Sequence, residues 1–144
     1  MADVKDVAKY FIRLADENDE GISNLKVQKL VYYAQGFYLA LNEETLFDAD
    51  IEAWAHGPVV PELYHDYKEF GREAIELDLR FNPHTRLTKG EIEHIEEIFD
   101  VFGQFSAWKL RNMTHEESPW IENEGHAGVI SKRDLKAYFD TRVE

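Results

Sequence analysis

The sequence predicts a mainly α, α+β fold: a compact single-domain bundle of about six helices with a small two-stranded β element. Three observations point there. Apolar residues recur at helical spacing over most of the chain, cap patterns punctuate it, and the apolar period falls to two in only two short stretches. At 144 residues, 44% of them hydrophobic, the whole chain (1–144) is the size of one domain and has ample material for a core. It contains no repeat, linker or low-complexity segment.

The elements follow in order. Asp3 caps a first helix with Asp6 in its first turn, and Val4, Val7, Ala8, Phe11 and Leu14 share one face. Carboxylates oppose the dipole of a helix C-terminus, so the acidic run from Asp16 ends this helix before Glu17. Ser23 or Asn24 caps a second helix reaching about Leu41. Its broad stripe of Val27, Leu30, Val31, Ala34, Phe37, Tyr38 and Leu41 marks the central helix of the core. Ile51, Ala53 and Ala55 alternate with Glu52 and Trp54 as a short strand, and His56–Pro61 turns the chain into a helix running from Pro61 to Phe70. Ile75 to Phe81 alternates as a second strand that pairs with the first.

Thr88 with Glu91 makes a capping box, flanked by a Leu87–Ile92 staple, and the helix it starts turns Ile92, Ile95, Phe99 and Phe102 inward. Ser106 opens a helix with Trp108 and Leu110, and Ser118-Pro119 opens a short one at Trp120. Ser131 with Asp134 repeats the capping pattern ahead of Tyr138 and Phe139.

Charge narrows the function classes. Twenty-nine acidic against sixteen basic residues give a net charge of −13, a field that repels phosphate backbones, so no direct nucleic-acid partner is expected. Between Leu30 and Tyr67 there is no Lys or Arg, while Glu43, Glu44, Asp48, Asp50, Glu52, Glu62 and Asp66 all fall there. Such a stretch is either a solvated face or a surface for a basic partner. No cysteine is present, which excludes disulfides and thiolate chemistry. The N-terminus lacks a signal-peptide pattern, and the longest apolar-rich run is too short to span a bilayer, so a cytoplasmic protein with no membrane partner is expected.

Catalytic patterns are sparse, and no catalytic residue, metal or cofactor is expected. His115-Glu116 begins like a zinc-protease helix, but Pro119 stands where the second histidine belongs. The other histidines have no metal-ligand spacing, and no serine sits in a nucleophile elbow. Two dense aromatic corners remain, Glu52–Tyr64 and Ser106–Trp120. We expect them to pack together and leave an acidic rim exposed.

The blocks Leu25–Ala40, Leu46–Gly71 and Ser106–Trp120 together resemble the Panacea, or SocA-like antitoxin, domain, in a match running from about Asn24 to Phe139. Three motifs carry it in the family's order: Lys-Leu-x-Tyr-Tyr-x-Gln at Lys29–Gln35, the Trp-x-x-Gly-Pro-Val-x-Pro corner, and the block from Leu110 through Thr114-His115 to Pro119-Trp120. The resemblance implies a non-enzymatic protein, common in bacteria and prophages, that neutralises a cognate protein toxin by direct binding. A basic toxin would complement the charge. For the SocA type the resemblance further implies an adaptor that delivers the toxin to an ATP-dependent, ClpXP-type protease. The positions it carries over are Trp54, Gly57, Pro58, Val59, Pro61 and Tyr64, then Trp108, Leu110, Thr114, His115, Pro119 and Trp120, and His56 joins them as a candidate partner-binding residue of the first corner. The competing expectation is a prophage accessory enzyme with a small hydrolytic or metal site near His56 and His115.

Overall fold

The computed structural model describes residues 1–143 and is mainly helical with one small antiparallel sheet. In chain order the elements are α1 (Val4–Glu17), α2 (Asn24–Asn42), β1 (Ile51–Trp54), β2 (Gly57–Val59), α3 (Pro61–Tyr67), α4 (Pro83–Arg86), α5 (Lys89–Phe102), α6 (Ala107–Thr114), α7 (Ser118–Ile121), β3 (Val129–Ile130) and α8 (Lys132–Asp140). Single turns of 3-10 helix at Lys68–Phe70 and Glu124–His126 complete the set. Two of the α-helices, α4 and α7, are one turn long.

Helix α2 is the centre. Twelve of its nineteen residues are buried, so it is sheathed on nearly every side, and α1, α3, α5, α6, α8 and β2 all pack on it. Of the expected stripe, Leu41 is the exception: it is exposed at the end of the helix, where Glu43 takes a left-handed φ of 58° and stops the turn. Close packing against α8 depends on Gly36. A Cβ there would lie 2.1 Å from the Phe139 ring, so only glycine lets that ring reach the α2 backbone.

The polar residues buried on α2 bond to backbone outside the helix. The Gln35 side chain accepts from the Leu46 N–H at 2.8 Å and donates to the Phe47 carbonyl at 2.8 Å. Gln28 accepts from the Val60 N–H at 2.9 Å. These bonds satisfy chain that enters and leaves the sheet where no ladder is available.

Local signals are realised at most helix starts. Asp3, Ser23, Ser106 and Ser131 cap α1, α2, α6 and α8, and Thr88 with Glu91 forms the full reciprocal box on α5. Helix α1 does run through Glu17, one residue past the expected stop. There the Arg13 guanidinium, 3.2 Å from the Glu17 carboxylate one turn on, offsets its clash with the dipole.

The sheet corrects the sequence reading. Strand β1 is central, with β2 on one side (Glu52 opposite Val59, Trp54 opposite Gly57) and β3 on the other (Ile51 opposite Ile130). The hairpin turns at Ala55-His56, so Gly57–Val59 is itself a strand rather than part of the turn. Residues 75–81 form no strand. Ile75 and Phe81 are buried as alternation requires, but Leu79 is 89% exposed and a turn from Asp78 to Phe81 breaks the run. Both edges of β1, the strand this segment was expected to pair with, are occupied by β2 and β3.

Candidate functional site

The first aromatic corner is built outward from α2. Gly57, at the start of β2, holds φ at +114° and closes the hairpin. A Cβ there would stand 2.7 Å from Lys29 Cε and 2.8 Å from Thr114 Oγ1, so α2, α6 and the hairpin meet at this one position. Lys29 is wholly buried beneath it and donates to the Pro58 carbonyl at 3.1 Å. Burial, aided by the nearby Arg111 charge, lowers the Lys29 pKa to about 7. Pro58 fits because β2 is an edge strand that can lack a donor, and Pro61 occupies the first turn of α3. Val59 and its neighbour Val60 are buried.

The exposed part of this corner is aromatic. The Trp54 indole donates to Glu52 Oε1 at 2.9 Å and meets Tyr64 edge to face, with ring centroids 5.0 Å apart. Tyr64 lies at the surface and His56 stands exposed in the hairpin turn.

The second corner locks onto the first. Pro119 in the first turn of α7 directs Trp120 back toward the sheet, where its indole N–H donates to the Trp54 carbonyl at 2.6 Å. His115 stacks flat on Trp120 at 3.9 Å. Burial and the charges of Arg111 and Lys29 hold the His115 pKa below its ordinary value, partly countered by a hydrogen bond to the Ala55 backbone. Thr114 is fully buried and donates to the Arg111 carbonyl at 2.8 Å. Arg111 in turn lays its guanidinium 4.5 Å over the ring of Trp108, which is 62% exposed. Arg111 Nε and His115 Nε2 are buried without a hydrogen-bond partner among the described residues.

Behind these rings Glu117 anchors α7 to α2. Its carboxylate accepts from the Tyr32 and Tyr33 hydroxyls, each at 2.8 Å, while burial pushes its pKa up against their pull. Both tyrosine hydroxyls are held above their ordinary pKa by burial and by that carboxylate.

Twelve of the positions singled out in the sequence thus fall into three groups. Trp54, Gly57, Thr114, His115 and Trp120 come together at the meeting of the corners. Pro58, Val59, Pro61 and Pro119 set the chain path. His56, Tyr64 and Trp108 reach the surface around it. Lys29, Gln28, Arg111 and Glu117 complete the assembly and were not among the expected site residues. For Lys29 the signal was present: it opens the Lys-Leu-x-Tyr-Tyr-x-Gln motif. Among the described residues no three His, Asp or Glu side chains come together in a way that could hold a metal ion.

Residues 27–121 match the family model described as "Antitoxin SocA-like, Panacea domain", and all twelve positions lie inside that span. The match ends before α8, short of the Phe139 expected from sequence. Antitoxin SocA of Caulobacter vibrioides (strain NA1000 / CB15N) is 31% identical over 128 residues, covering 82% of this chain and 68% of that protein. The chain belongs to the SocA-like, Panacea-domain antitoxin family. No solved structure matches it. No helix among the described residues is long and apolar enough to cross a membrane.

Proposed function

We propose that this protein is a non-enzymatic antitoxin that binds a cognate protein toxin with the face built on the two paired aromatic corners. The observation that carries this reading is the Trp120–Trp54 bond. It fastens together two segments 66 residues apart and leaves Trp108, Tyr64 and His56 at the surface around the join. Large aromatic side chains and arginine on a preorganised surface are the groups that dominate protein–protein binding energy. Trp108 backed by Arg111 is such a group.

Charge supplies the second part of the reading. Glu44, Asp48 and Glu62 are exposed and have no ion pair among the described residues, so part of the acidic rim is free to steer a basic toxin. Delivery of the bound toxin to a ClpXP-type protease in the cytoplasm is the further step that family membership suggests.

The test is co-purification of the tagged protein from its native host, with bound proteins identified by mass spectrometry. A stoichiometric basic protein encoded by a neighbouring gene is the expected result. Loss of toxin when the protease is active, and its persistence when the protease is deleted, is expected for the adaptor step. Recovery of a small molecule or metal in place of any protein would contradict the reading.

A further inference from the structure

One cleft in this acidic protein is basic. About 340 Å³ in volume, it is enclosed on three sides: by the N-terminal half of α2, by the β1–β2 hairpin, and by α3 with the turn that follows it. Trp54 and Tyr64 form its aromatic wall, Lys29 lies in its floor, and His56, Lys68 and Arg72 stand around its rim. Among the described residues no Asp or Glu lines it. Glu52, the carboxylate nearest in the hairpin, is engaged by the Trp54 indole, and Glu69 and Glu73 flank the two cations in sequence without lining the cleft.

Lys68 and Arg72 are exposed and form no ion pair among the described residues, although the chain carries nearly two acidic residues for each basic one. Lys5, Lys9, Arg13, Arg86, Lys89, Lys132 and Lys136 find carboxylates, while Arg80, Lys109 and Arg133, like Lys68 and Arg72, form no ion pair among the described residues; what sets Lys68 and Arg72 apart is that they share one cleft. Two unpaired cations beside an aromatic wall fit an occupant with a carboxylate at one end and an apolar body behind it. The volume lies near the lower end of the roughly 300–1,000 Å³ of ligand pockets, which suits the last residue or two of a chain rather than a long segment passing through.

We propose that this cleft captures the C-terminus of the protein partner, the free α-carboxylate meeting Lys68 and Arg72 and an apolar terminal side chain packing on Trp54 and Tyr64. Capture of a terminal carboxylate is an established mode of peptide recognition. The inference rests on the toxin-binding reading and adds the chemistry of one contact within it. The cleft takes an acidic group from a partner whose remaining surface is basic.

The test is an array of short synthetic peptides in which every residue type is run through the last two positions, each made as the free acid and as the C-terminal amide. Binding of the purified full chain is read directly, and by the shift of the Trp54 indole resonance in solution NMR. Free acids ending in an apolar or aromatic residue are expected to bind at least tenfold more tightly than their amides. The Lys68→Glu/Arg72→Glu double variant is expected to lose that difference. A Lys89→Glu/Arg133→Glu variant, with the same change of charge at exposed positions away from the cleft, is expected to keep it. Equal binding of acids and amides, or no binding by any free acid, overturns the assignment. Partner co-purification is measured separately, so failure on the array with the partner still captured removes this contact alone.

Discussion

Lys29 reaches the Pro58 carbonyl from inside the core, and its position dictates how stability varies with pH. Its folded-state pKa falls from 10.5 to about 7, so between those values the folded chain has released a proton that the unfolded chain still holds. Stability therefore rises with pH across that window, and the burial penalty is full only below about pH 7. Lys29→Met removes the effect. Its stability relative to the parent is predicted to be greatest below pH 7 and to decline by about 1.4 kcal/mol per pH unit as pH rises toward 10.5. Urea unfolding of both proteins across the range checks this, and a constant difference would contradict it. Gly57→Ala strains a positive φ and drives a methyl against Lys29 and Thr114. It is predicted to cost about 2 kcal/mol or more, seen as a lower melting temperature. Residues acting on their own backbone, such as Ser23 and Thr88, were legible in sequence because a cap needs only neighbours within a turn. The motif marked Lys29, but its role and that of Glu117 were not legible, because what they do depends on chain about 30 and 85 positions away.

Elements whose cause is local were recovered, and those whose cause is a partner were not. The capping box that starts α5 needs four consecutive residues, and all the information lies there. Thr88→Ala is predicted to destabilise the protein by about 1 kcal/mol, measurable by thermal or urea unfolding. The segment 75–81 shows the opposite case. Alternation matches the burial of Ile75 and Phe81 but not the exposure of Leu79, and the β1 edge this segment was expected to take belongs to β3, a strand of only two residues. A two-residue strand leaves no periodic trace in a sequence. The packing of α2 against α8 was equally hidden, because Gly36 reads as a flaw in a helix until Phe139 is seen to cross it. Gly36→Val is predicted to force the two helices apart and to lower the unfolding midpoint by more than Thr88→Ala does.

At the scale of the molecule, α2 positions both corners at once. Lys29 and Gln28 hold the hairpin, Tyr32 and Tyr33 hold α7, and the two aromatic blocks meet across them. Their pairing was expected from composition and motif order. The basic cleft beside them was not, because Lys68 and Arg72 are unremarkable in sequence and acquire meaning only from the aromatic wall they face. In the proposed function this paired surface binds the toxin, and the acidic rim acts chiefly on association rate. Calorimetric titration of the purified cognate toxin into Trp108→Ala tests it most directly, alongside charge reversal at Glu43, Glu44 and Glu62. Trp108→Ala is expected to lose at least tenfold in affinity with an unchanged melting temperature, and the charge reversal to show a smaller, salt-dependent loss. Wild-type affinity in Trp108→Ala, with binding abolished by the charge reversal alone, would contradict it.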